Sequence, residues 1–149
     1  IAGGGARLVC AGGGRNGGEG GGGGIGRRPA GNPEARKVLA WLLATEGRDL
    51  DFALSLARDA SRLRPESATL DTLGLVHIER GEVEEAVNAL EKAIATPGSS
   101  PTVHYHFAIA LSRFENTERA REMLKRALAG GDFPEAEAAR QQLAELDPP

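Results

Sequence analysis

His104 and His106 flank Tyr105 in the stretch HYH, and two imidazoles so close in sequence suggest a metal site. On a helix the spacing is wrong for one. Residues two apart point about 200° away from each other at 3.6 residues per turn, so they cannot share an ion. His77 and His104 are expected at packing slots instead, as aromatics between helices. Cys10 is the single cysteine, which excludes an internal disulfide and a zinc site built on several thiolates. Neither G-x-S-x-G nor H-E-x-x-H occurs. The carboxylates of EVEE and EAEAAR read as solvated helix faces. The expectation is a chain with no catalytic, cofactor-binding or metal-binding residues, and not an enzyme.

Glycine is the other residue type that could do chemistry, by cradling phosphate. Fifteen of the 21 glycines lie in residues 1–31, in runs such as GGGRNGGEGGGGGIGRRPAG. A dinucleotide fingerprint needs a strand before the glycines and a helix after them, and RLVC is too short to be that strand. A phosphate loop needs Gly-Lys-Ser/Thr, and this segment has no lysine. An Arg-Gly RNA-binding segment needs repeated Arg-Gly-Gly units, and Arg15 is followed by Asn16. Residues 1–31 are therefore expected to be a low-complexity, disordered segment or an artefact at a fragment edge. Their removal should change stability little.

The same segment carries a net +3 (Arg7, Arg15, Arg27 and Arg28 against Glu19), so the remainder carries −6 of the overall −3. That balance argues against a nucleic-acid-binding face, which needs clustered Lys and Arg. No apolar run approaches the roughly 18 residues of a membrane span. The chain starts at Ile1 and its single methionine is Met123, so native sequence is expected to be missing upstream. The compartment stays open for that reason, cytoplasmic or, if export-associated, periplasmic.

From Asn32 onward Ala, Leu, Glu and Arg dominate, which favours helix. A shift of 34 residues superposes the sequence on itself. Ala86 falls on Ala120, Leu90 on Leu124, Ala93 on Ala127, Leu73 on Phe107 and Gly74 on Ala108. Backward, Leu73 and Gly74 fall on Leu39 and Ala40. One extra residue in GRDLD brings Ala53, Ala57 and Ala60 into register. Such a period marks stacked supersecondary units. The caps predict helices near 33–46, 50–63, 68–80, 83–95, 101–114, 117–129 and 134–146. Asn32-Pro33, Ser100-Pro101, Asp49 and Asn116 or Thr117 start helices. Gly81 suits a left-handed helix end; where Glu115 replaces it, Asn116 is expected to take that role. Gly74 in mid-helix costs about 1 kcal/mol relative to alanine, and the spacing explains it as a close helix contact. Alanine in the equivalent slots, Ala40 and Ala108, implies that Gly74→Ala is tolerated.

Together, Leu73, Gly74, Gly81, Ala86, Leu90, Ala93 and the slightly early Pro97 resemble the tetratricopeptide repeat. The resemblance implies an all-α, right-handed solenoid over 32–149. Its repeats would be near 33–66, 67–100 and 101–131, with a C-terminal capping helix near 134–146. It also implies that Leu39, Ala40, Ala53, Ala60, Leu73, Gly74, Gly81, Ala86, Leu90, Ala93, Phe107, Ala108, Ala120, Leu124 and Ala127 serve repeat packing. The wording AWLL…TLGLVH…HYHFAIAL…FPEAEAAR is similar to bacterial repeat proteins of exopolysaccharide export and exosortase systems.

In this family the first helix of each unit lines a concave groove. The resemblance assigns that groove Lys37 and Trp41 (with Thr45), then Asp71, Leu75 and Glu79, then Tyr105, Ile109 and Arg113. Trp41, Leu75 and Ile109 would form an apolar strip, unless a missing upstream repeat or the glycine-rich segment covers it. The clamp with which some members hold a chaperone's C-terminal carboxylate would fall on Lys37, Trp41, Thr72, Thr102 and His106. Only Lys37 agrees, so that partner is rejected. The expected function is a non-catalytic protein-protein interaction scaffold for a peptide or helical segment, with no cofactor. The alternative is the C-terminal repeat region of a larger enzyme or export component.

Overall fold

The computed structural model describes residues 31–147, and these contain seven helices and no strand. The expectations for residues 1–30, including Cys10, lie outside the described residues. The helices are α1 (Pro33–Glu46), α2 (Leu50–Leu63), α3 (Ser67–Arg80), α4 (Val83–Ala95), α5 (Pro101–Arg113), α6 (Thr117–Ala129) and α7 (Ala136–Leu146). They pair as hairpins α1–α2, α3–α4 and α5–α6, and α7 packs on α6.

Local chemistry sets the boundaries. Asn32 Oδ1 accepts hydrogen bonds from the backbone N–H groups of Glu34 (2.9 Å) and Ala35 (3.4 Å), and Pro33 pre-sets the first turn. Asn116 Oδ1 accepts from Arg119 N–H at 3.2 Å at the start of α6. Ser100 and Asp49 occupy cap positions, yet their side chains make no capping bond. Asp49 instead holds a left-handed backbone (φ 43°). Gly47 (φ 64°) and Gly81 (φ 80°) end the first helices of units one and two in the left-handed conformation. In unit three that conformation falls on Glu115 itself (φ 63°). Asn116, expected in the role, stays at φ −96° because it is already committed to capping α6. The last helix starts at Ala136, not near 134.

Small residues let the helices close. Ala40, Ala44, Ala53, Ala57 and Ala60 are fully buried in unit one, Ala86 and Ala93 in unit two, and Ala108, Ala120 and Ala127 in unit three. At Gly74 a Cβ would lie 2.4 Å from Leu90 Cγ. That is closer than the expected tolerance of alanine allows. Gly81 is exposed and serves the turn, not the packing. One apolar cluster joins α1, α2 and α3 through Leu43, Leu54, Leu75 and Val76. A larger one centres on Leu90, Phe107, Leu111 and Leu124, and Phe133, Leu143 and Leu146 close its far end.

Candidate interaction groove

The first helices α1, α3 and α5 pack directly on one another, whereas α2, α4 and α6 flank them on the outside. Close approach of one set of helices and separation of the other bends a stack, so the first helices line its inner, concave side.

The structure distributes the expected groove residues unevenly. Trp41, Glu79 and Arg113 are exposed. Lys37 is partly covered and pairs with Glu34 at 2.7 Å. Thr45 is exposed and donates to the Leu42 carbonyl at 3.0 Å. Leu75 is only 8 % exposed and packs in the cluster with Ala40, Leu43 and Ala44. Ile109 is half-buried against the larger cluster. The continuous apolar strip read from Trp41, Leu75 and Ile109 is therefore broken. The preceding first helix covers this position in units two and three, and no described helix covers it in unit one.

Asp71 and Tyr105 belong to a group the periodicity did not announce. His106 is buried and its Nδ1–H donates to Asp71 at 2.8 Å, tying α5 to α3. Tyr105 stands 5.9 Å from the His106 ring and 6.4 Å from the Phe133 ring, centroid to centroid. Thr102 donates to Glu135 at 3.1 Å alongside. Burial disfavours the charged form of His106. The hydrogen bond to Asp71 and the charges of Asp71 and Glu135 outweigh it, so the His106 pKa lies above the ordinary histidine value. Burial, with the charge of Glu135 adding to it, pushes the Tyr105 hydroxyl up. A second tie runs parallel to the first, from Arg113 Nη1 to the Ile78 carbonyl at 3.1 Å. Both ties span 35 residues, one more than the repeat period. Complementary side chains one residue beyond the period are the signal by which the sequence carries the His106–Asp71 pair.

His104 differs from the packing role expected of it, whereas His77 is buried as expected. His104 is half-buried and its ring donates to the Ser100 carbonyl at 3.2 Å in its own helix. Of the two, it is His106 that lies between helices. His77 is buried and donates to Glu82 at 2.8 Å. Arg80 Nε also donates to Glu82, at 2.9 Å, and Arg80 pairs with Asp51 of α2. The Arg80 hydrogen bond, followed by that of His77, holds the Glu82 carboxyl down at about 2. Arg80 is raised in turn by Glu82 and Asp51. Among the described residues no group of three or more His, Cys, Asp or Glu could hold a metal ion. No described helix is long and apolar enough to cross a membrane.

Residues 77–143 match the tetratricopeptide repeat family model. No curated protein matches the chain. Among solved structures the chain is similar to YrrB, a tetratricopeptide-repeat protein with an unusual peptide-binding site, with a TM-score of 0.65 at 22 % identity. That match covers 77 % of this chain and 58 % of YrrB, so the chain spans less than two thirds of that relative. MamA (residues 41 to the end) from Desulfovibrio magneticus RS-1 is similar with a TM-score of 0.66 at 22 % identity, over 81 % of this chain and 67 % of that one. At this identity the likeness concerns the fold. Three stacked hairpins with first helices packed on one another, followed by a last helix on α6, give the described residues an all-α helical-repeat fold, and the tetratricopeptide-repeat match falls on its C-terminal part, residues 77–143.

Proposed function

We propose that this chain is a non-catalytic interaction scaffold that takes a peptide or helical segment of another protein along the face made by α1, α3 and α5. One observation carries the reading. Three successive first helices join into a single surface, and Trp41, Glu79 and Arg113 stand exposed on it, with Tyr105 half-buried at its end. Leu75 and Ile109 are covered by the preceding unit and support this face from beneath, and Lys37 and Asp71 would lend it polar edges. Mixed charge beside one large aromatic suits an amphipathic segment, anchored by an apolar residue at Trp41 and oriented by Glu79 and Arg113. The peptide-binding site of the similar YrrB supports the same use of the fold.

A displayed peptide library selected on the purified chain tests this. Trp41 is the only tryptophan, so its fluorescence reports affinity directly. Trp41→Ala is expected to cost a selected peptide about 2 kcal/mol or more. Glu79→Lys and Arg113→Glu should shift the charge pattern of the selected sequences. Binders indifferent to all three changes would place the ligand elsewhere.

A further inference from the structure

His106 commits one ring nitrogen and leaves the other open. Its Nδ1–H donates to Asp71 at 2.8 Å, whereas Nε2 has no hydrogen-bond partner among the described residues. The residue is 8 % exposed. Ser67 Oγ and Ser112 Oγ are also unpartnered, but they are sealed from solvent; Nε2 is not. The ring lies between the inner helices α3 and α5, and α4 and α6 close the outer side. The opening at Nε2 therefore faces the concave surface.

The surroundings fix what Nε2 can do. While Asp71 holds Nδ1–H, the neutral ring presents a lone pair at Nε2 and the charged ring presents an N–H. Asp71 of α3, Glu135 before α7 and the Tyr105 hydroxyl of its own helix are the titratable groups around it. His104 bonds the Ser100 carbonyl and points to the opposite side of α5. Arg119 of α6 and Glu91 of α4 pair with each other beside the Phe107 ring. The two carboxylates thus favour the charged ring. A charged N–H on so buried a side chain is costly without an acceptor, so a segment that covers this opening must supply one. Asp71 and Glu135 repel an anionic acceptor, which leaves a neutral one, a main-chain carbonyl.

We propose that His106 Nε2–H donates to a main-chain carbonyl of the segment bound along α1, α3 and α5, and that this contact makes binding pH-dependent. This rests on the groove proposed above. Asp71 acts as a positioning residue that fixes the tautomer and the ring. As pH rises and the Nε2 proton leaves, two lone pairs oppose each other and affinity falls. At such pH, binding takes up one proton.

Peptides selected from the displayed library test this when made with blocked termini and without His, Asp, Glu or Cys, because they do not titrate between about pH 5.5 and about 8.5. The Kd should be flat at the acid end and rise by up to about tenfold per pH unit beyond the titration of His106. The NMR titration of His106 Cε1–H in the parent chain should move to higher pH when the peptide is bound. His106→Gln sets an amide N–H near the place of Nε2 and should make the Kd independent of pH. His106→Asn keeps a donor for Asp71 but loses the one at the groove, so it should bind more weakly than His106→Gln. The opposite ranking would mean that His106 acts only through the joint between units, and would overturn the proposal. So would a His106 titration unmoved by peptide, a result that needs no variant to fold. Peptides indifferent to Trp41→Ala, Glu79→Lys and Arg113→Glu would refute the groove and this contact with it. Peptides that depend on those residues but not on pH would leave the groove standing and remove His106 from it.

Discussion

Gly74 illustrates how far repeat symmetry reaches and where it ends. Alanine fills the same slot at Ala40 and Ala108, yet in unit two the fully buried Leu90 has moved into the space that a methyl group would occupy. The period carries no trace of that shift, because it depends on the rotamer of one leucine. Gly74→Ala should therefore destabilise: overpacking costs about 1–3 kcal/mol, against a helix-propensity gain of about 1 kcal/mol. A net loss of up to about 2 kcal/mol in urea denaturation is expected, and Leu90→Val in the same molecule should recover part of it. Equal stability of Gly74→Ala and the parent would mean that Leu90 moves aside freely. Glu115 is the complementary case. Its backbone takes the left-handed conformation that Gly47 and Gly81 hold in the other units. An L-residue with a side chain pays about 1–2 kcal/mol there. Glu115→Gly should thus raise stability by roughly 0.5–1 kcal/mol, and an unchanged or lower melting temperature would contradict that account.

Between α3 and α5 the main contact is apolar, but its polar member is the one that responds to pH. His106 faces Asp71 from α3 and Glu135 from the segment before α7, and its pKa is raised in the fold. A raised histidine pKa adds stability that is full below the unfolded pKa and is lost as pH rises through the folded one. The melting temperature should accordingly fall as pH rises from about 6 to about 8. His106→Gln should flatten that slope, whereas His104→Gln should not. An identical slope in both variants would detach the effect from this pair. Helix limits were legible in the sequence because caps and prolines are local signals. The His106–Asp71 tie was not, because the local motif HYH holds no partner for His106: side chains two apart on a helix diverge. Its partner lies 35 residues away on the neighbouring unit.

Seven helices in three hairpins and a cap followed from one 34-residue period, since that period repeats the same small residues on the same faces. The groove was less legible. Which of its positions stay open depends on whether another first helix precedes them, and a period looks the same at the end of a stack as in its middle. Stability in such stacks sums over neighbours, so native-state hydrogen exchange in dilute solution should find α1 opening first and α3 to α6 most protected. Uniform protection across all seven helices would contradict a neighbour-limited stack. The ties between units also set its mechanics. Units two and three are joined by His106 to Asp71, by Arg113 to the Ile78 carbonyl and by Arg119 to Glu91 at 2.6 Å. Arg119 lies over the Phe107 ring as well, 5.1 Å from its centroid. The joint between units one and two rests on the packing of Leu75 and Val76 and on the Asp51–Arg80 pair. Under load the two halves would differ in compliance. The coil's change of pitch would be shared between a joint closed mainly by packing and one tied as well by hydrogen bonds. A segment gripping both α1 and α5 would set the spring's curvature by its own length.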